Sequence, residues 1–190
     1  MNPVRAFGFV DGGYLRKRAE DNSKPLPDPW ALPMKVLGSQ GYGFTKSCSL
    51  QRVTYYDAAP DSMTDVPEHL SDYWDAVELI DDVHLGFGYL RGGKRKKPPR
   101  QKAVDTLLTV DMLVGAFTGI YTIAILVAGD ADFVPVVNEV QRRGAMVILA
   151  GTERTVSNEL KRSVDRFHEL TADDLTALKR ADGGIFKAES

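Results

Sequence analysis

"LVAGDADFVPVVNEVQRRGAMVILAG", residues 126–151, decides the fold class. Leu126, Val127 and Ala128 end an apolar run that begins at Tyr121 and shows no polar alternation, the pattern of a strand buried on both faces. Two acids, Asp130 and Asp132, follow at once. Residues 131–144 then carry helical spacing closed by Gly144, and residues 145–151 form another apolar run. Two such strands joined by one helix make a βαβ unit, which requires a parallel sheet and a right-handed crossover.

The same alternation extends in both directions. Residues 6–10, "AFGFV", stop at Asp11 and the pair Gly12 and Gly13, after which "YLRKRAE" suits a helix. In the proline-rich stretch that follows, Asp28 is placed to cap a short helix with Pro29 at its first position. Residues 52–58 are β-branched and aromatic and predict a second strand. Residues 66–80 place Leu70, Tyr73, Trp74, Val77 and Ile80 on one helical face, with Trp74 in the core. Residues 83–90 predict a third strand, and the prolines after it exclude regular structure until about residue 102. A helix is expected over 103–117 and a final amphipathic one over 155–167, with a mobile tail over 179–190. The chain thus predicts a three-layer α/β/α fold with a mostly parallel, doubly wound sheet of about five strands in the order 3-2-1-4-5.

Composition narrows the function. Lys and Arg number 24 against 26 Asp and Glu, so any nucleic-acid contact must come from local patches and not from overall charge. One cysteine, Cys48, excludes an intrachain disulfide framework and a multi-cysteine zinc ribbon, and predicts a buried thiol. No apolar run is long enough for a membrane span, and the first residues lack a signal-peptide core, so a cytoplasmic setting is expected.

Ligands of a doubly wound sheet bind outside the carboxyl ends of its strands, where strand order reverses. Asp11 ends the first strand and Asp130 the fourth, neighbours in the expected order. Asp105 falls in the first turn of the helix that enters the same edge. Gathered carboxylates repel, and a hard divalent cation relieves that repulsion. Oxygen donors without histidine or cysteine favour Mg²⁺ or Mn²⁺. Each acid also has a plainer role available. Asp132 is the best placed to cap the following helix, and Asp11 suits the turn before its two glycines.

Other residues extend the site. "KRKKPPR" brings Lys94, Arg95, Lys96, Lys97 and Arg100 on a loop that empties toward the acids, where they can contact phosphates or merely be solvated. Ser157 lies after the fifth strand on the same edge and can order a phosphate or cap a helix. Tyr55, Tyr56 and Phe133 have faces able to stack bases, although Phe133 better suits a wedge between helix and sheet. His69, His84 and His168 show no metal-ligand spacing. A nucleotide-binding phosphate loop is absent from "FVDGGYL". A phosphatase of the haloacid-dehalogenase type would need an acid where Gly13 stands.

The blocks "FVDGGYL", "KAVDTLLTVDML", residues 126–151 and "SNELKRSVDRFHEL" resemble, in that order, the NYN domains, PIN-like nucleases of the LabA-like type. The resemblance implies one nuclease domain over residues 1–178 and Mg²⁺- or Mn²⁺-dependent ribonuclease chemistry. It implies Asp11, Asp105, Asp130 and Asp132 as the catalytic, metal-holding acids, with Asp111 in a supporting position and Lys102 steadying a scissile phosphate. RNA, single-stranded for preference, is the implied partner, and a homo-oligomer stays open. Tyr14 stands where many members carry a site-ordering asparagine. The rival reading is a catalytically silent PIN-like module that binds RNA or protein.

Overall fold

The computed structural model describes residues 4–40, 48–59, 66–91, 100–179 and 184–186. Seven strands form one sheet: β1 (Val4–Asp11), β2 (Cys48–Ala59), β3 (Val83–Arg91), β4 (Arg100–Lys102), β5 (Ile123–Val127), β6 (Met146–Gly151) and β7 (Arg166–Glu169). Their order is β4-β3-β2-β1-β5-β6-β7. Every neighbouring pair is parallel except β3 with β4. The five strands expected from the sequence occupy the centre in the expected order, and each edge gains one more.

Both additions correct the sequence reading. Pro98 and Pro99 cannot donate to a ladder, but backbone N–H groups return at Arg100, and the open edge of β3 pairs with them through Arg91 and Tyr89. At the other edge the final helix is shorter than expected: α6 covers Asn158–Ser163, and Arg166–Glu169 becomes β7. The exposed side of β6 offers partners to Arg166 through Glu169, and sheet pairing prevails over weak helical spacing.

The strands alternate their side chains between two apolar layers. Val10, Tyr55, Ile125 and Ile148 face α1 (Gly12–Asp21), α2 (Ala31–Ser39) and α3 (Glu68–Glu78), which supply Leu15, Leu32, Val36, Tyr73 and Trp74. Phe9, Tyr56, Leu126 and Leu149 face α4 (Val104–Thr118), α5 (Val134–Arg142) and α6, which supply Leu108, Met112, Val137 and Leu160. Tyr55 and Tyr56 are fully buried, so neither has a face for a base. Phe133 is buried as the expected wedge, and Cys48 is buried too.

Asp28 does turn the chain into α2, its Oδ1 accepting from the N–H groups of Trp30 and Ala31 at 2.8 and 3.1 Å, and the helix starts at Ala31. Within the expected tail, residues 184–186 are docked: Phe186 is buried against Tyr73, and its carbonyl accepts from Leu26 N–H at 2.8 Å. An aromatic ring that removes that much apolar surface from water repays its ordering. Among the described residues no helix is long and apolar enough to cross a membrane.

Candidate active site

β1 and β5 lie side by side, with Val10 opposite Val127, so the chain leaves the sheet at Asp11 and at Gly129 and Asp130 from adjacent positions. The connection after β1 leads to β2 on one side, and α4 returns the chain to β5 on the other. This is the reversal of strand order at which open α/β sheets form a crevice.

Asp11 is the last residue of β1 and the N-cap of α1, its Oδ1 accepting from Tyr14 N–H at 3.0 Å. Gly12 follows because a Cβ there would lie 2.5 Å from the Tyr55 ring. The Asp11 carboxyl is partly buried and pushed up to about 6, chiefly by burial. The Tyr14 N–H lowers it, the charges of Asp105 and Asp57 raise it, and Arg16 lowers it. Asp105 sits in the first turn of α4, entered through Ala103 at a left-handed φ of 73°. Although Asp105 is exposed, its carboxyl is also raised, first by partial desolvation and then by the charges of Asp130 and Asp132.

Asp130, not Asp132, is the cap. It precedes a 3-10 turn over Ala131–Phe133 and accepts from Asp132 N–H at 3.1 Å. The extended backbone at Asp130 points its carboxylate back over the turn, while Asp132 lies within the turn and is exposed. The electrostatic links run from Asp11 to Asp105 and from Asp105 to Asp130 and Asp132. All four acids predicted from sequence therefore share one edge. Among the described residues no three acidic, histidine or cysteine side chains stand close enough together to hold a metal ion as they are. The donor chemistry fits a hard, largely hydrated divalent cation, because every donor in the group is a carboxylate oxygen.

That charge predicts an inverted stability effect. A carboxyl raised from 3.8 to about 6 by folding opposes the folded state once it ionises. The penalty is absent below the unfolded value of 3.8 and complete above about 6. Asparagine keeps the cap to Tyr14. Asp11→Asn is expected to melt above the wild type at pH 8, by at most about 3 kcal/mol, and to match it near pH 3. Mn²⁺ should raise the melting temperature of the wild type and not of the variant. A variant less stable than the wild type at pH 8 would show that Asp11 is a structural carboxylate.

The remaining predicted residues divide. Asp111 is not brought to the acids: it accepts from the Tyr56 hydroxyl at 2.8 Å and lines a separate pocket of ≈ 190 Å³ with Phe7 and Phe9. The reason is its place two turns along α4, below the sheet edge. Ser157 caps α6, accepting from Leu160 N–H at 3.0 Å, and lines the cleft beside the acids. Arg100 and Lys102 lie on β4, opposite Arg91 and Tyr89. Lys94, Arg95, Lys96 and Lys97 fall outside the described residues.

Three features were missed from sequence. Asp57, fully buried in β2, pairs with Arg16 and accepts from Trp74 Nε1 at 2.9 Å and from Ala58 N–H at 2.8 Å. An acid inside "VTYYDAA" is the signal that could have revealed it, since an unpaired charge does not survive in a buried strand. Tyr14 is the second: its hydroxyl accepts from Thr152 N–H at 3.0 Å and meets Thr155 Oγ1 at 3.0 Å, tying α1 to the loop after β6. Gly129 permits this, because a Cβ there would come within 2.6 Å of the Tyr14 ring. The third is a cleft of ≈ 600 Å³ lined by Asp11, Asp130 and Ser157 together with Lys17, Arg18 and Arg154.

The open, mostly parallel α/β sheet with carboxylates at its switch point agrees with the PIN-like class to which NYN domains belong. The NYN domain model matches residues 37–171, and the chain belongs to the NYN domain family. Asp105, Asp130 and Asp132 lie inside the matched segment, and Asp11 precedes it. A crystal structure of a protein of unknown function from Vibrio parahaemolyticus is similar, with a TM-score of 0.63 and 19% identity over 90% of this chain and 96% of that one. This likeness concerns the fold. No curated protein matches the chain.

Proposed function

We propose that the protein is a Mg²⁺- or Mn²⁺-dependent ribonuclease that hydrolyses phosphodiester bonds at the carboxyl edge of its sheet. The observation that carries this is the convergence of Asp11, Asp105, Asp130 and Asp132, three elements delivering carboxylates whose charges oppose one another. Membership of the NYN family, with its PIN-like nuclease-type fold, points the same way. Asp11, Asp105 and Asp130 are the residues that would hold the cation, and Asp132 would support it from further out, through water. A cation there supplies a nucleophilic water at neutral pH and offsets charge on the phosphate oxygens. The chain itself contributes rigidity: Asp11 and Asp130 stand where strands end, each oriented by a backbone N–H. The basic residues from Lys94 to Lys102 would contact the RNA backbone without taking part in bond cleavage.

Incubation of the purified protein with labelled single-stranded and structured RNA, in Mn²⁺ and in EDTA, tests this reading. Cleavage of the single strand in Mn²⁺ and none in EDTA is the expected result. One observation favours the silent binding module. Tyr14 spends its hydroxyl on Thr152 and Thr155, so this position offers Asp11 a backbone N–H and no side-chain donor. RNA that is bound but left intact under every condition would establish that alternative.

A further inference from the structure

The acids form only part of the wall of the ≈ 600 Å³ cleft; Lys17 and Arg18 of α1 and Arg154 of the loop after β6 form another part. Lys17 and Arg154 are exposed, and among the described residues neither has an ion-pair partner. Arg18 differs from both. It is only 4% exposed, its guanidinium 5.1 Å above the Tyr14 ring, with Nη2 on Asp21 at 2.9 Å and Nη1 reaching Thr152 Oγ1 at 3.5 Å. Its Nε is buried and has no hydrogen-bond partner. An unmatched guanidinium donor in a buried position is costly, and an oxyanion is the acceptor that best satisfies it.

Negative charge bounds this cationic stretch on two sides. Asp11 and Asp130 lie within the same cleft, and the adjoining cleft of ≈ 400 Å³, which also contains Arg18 and Arg154, is lined by Asp21, Glu153 and Glu169. A long phosphate backbone running through both clefts would meet those acids. A single phosphate confined to the larger cleft avoids Asp21, Glu153 and Glu169, leaving Asp11 and Asp130 as the acids that share its walls.

We propose that Lys17, Arg18 and Arg154 form a subsite for a single phosphate group of the RNA, distinct from the phosphate being cleaved. The identity of the ligand rests on the ribonuclease reading above; the anion-binding chemistry rests on the cleft itself. Two phosphates of RNA share this chemistry: a terminal phosphomonoester, and the phosphodiester next to the scissile bond.

The test is a binding measurement on the full chain in EDTA, where no cleavage occurs. Short single-stranded RNAs ending in 5′-hydroxyl, 5′-phosphate or 3′-phosphate are titrated against wild type and a Lys17→Gln, Arg154→Gln double variant, both positions being exposed and outside the core. The variant is expected to bind at least about tenfold more weakly, with a salt dependence shallower by up to about two phosphate contacts. Loss confined to a phosphorylated end assigns the subsite to a terminal phosphomonoester, and equal loss with all three RNAs assigns it to an internal phosphodiester. Unchanged affinity and salt slope in the double variant overturn the proposal, even if the wild type cuts RNA. A protein that loses binding in the variant but cleaves nothing in Mn²⁺ overturns the ribonuclease reading alone.

Discussion

Asp130→Asn is expected to leave the protein folded and to take Mn²⁺-dependent RNA cleavage to near background. The carboxylate has two separable duties in the structure. Its Oδ1 accepts from Asp132 N–H and caps the 3-10 turn. Asparagine retains an oxygen for that bond and is as good a cap as aspartate. The charge is the other duty. It contributes to the raised carboxyl of Asp105, and it is the property a divalent cation would use. The variant should therefore match wild type in thermal melting and lose Mn²⁺ binding in calorimetry. The activity loss should exceed the roughly 10- to 100-fold typical of residues one step removed from a metal, which is the range expected for Asp132→Asn. Asp130→Ala supplies the contrast, since it removes the cap as well and should destabilise by about 1 kcal/mol. An Asp130→Asn protein that binds Mn²⁺ and cleaves RNA like the wild type would reduce Asp130 to a helix cap.

Asp57→Ala should produce the largest loss of stability of any single substitution near the site. Asp57 is wholly buried, and its carboxylate is shared among Arg16, the Trp74 indole N–H and the Ala58 N–H. Truncation leaves a charged, mostly enclosed guanidinium and an indole N–H without their acceptor. Breaking a buried ion pair from one side typically costs about 3–5 kcal/mol, which for a protein of this size lowers the melting temperature on the order of 10 °C. Removing both charges together in Asp57→Leu, Arg16→Met should recover much of that loss, because no uncompensated charge then remains. Chemical denaturation of the three proteins measures both effects. A single variant with an unchanged midpoint would mean that the pair carries no net stability. Asp57 and Arg16 also act on Asp11 in opposite directions, both more weakly than its burial does.

The central sheet was legible because its signals are local. Each of β1, β2, β3, β5 and β6 is an apolar run bounded by a turn residue, and right-handed crossovers leave few ways to order them. The acids were legible for the same reason. A carboxylate just beyond a buried strand has only one place to go, the carboxyl edge, so strand order alone brings Asp11 and Asp130 together. The edge strands were not legible. Arg100–Lys102 and Arg166–Glu169 have no strong strand pattern and pair because β3 and β6 present unfilled backbone donors and acceptors. The division of labour between Asp130 and Asp132 was misassigned, since capping depends on the backbone angle at one residue and not on residue type.

The sequence by itself determined the layers, the parallel order and the edge on which the acids stand, all consequences of hydrophobic period and chain chirality. Only the tertiary structure decided the surroundings of each charge. Asp57 finds Arg16 and Trp74, Tyr14 reaches Thr152 and Thr155, and Lys17 and Arg154 border one cleft from opposite ends of the chain. The physical reason is range. Helix and strand periods are written over a few consecutive residues, whereas the burial and partners that set a side chain's charge come from segments that meet only when the sheet has closed its layers around them.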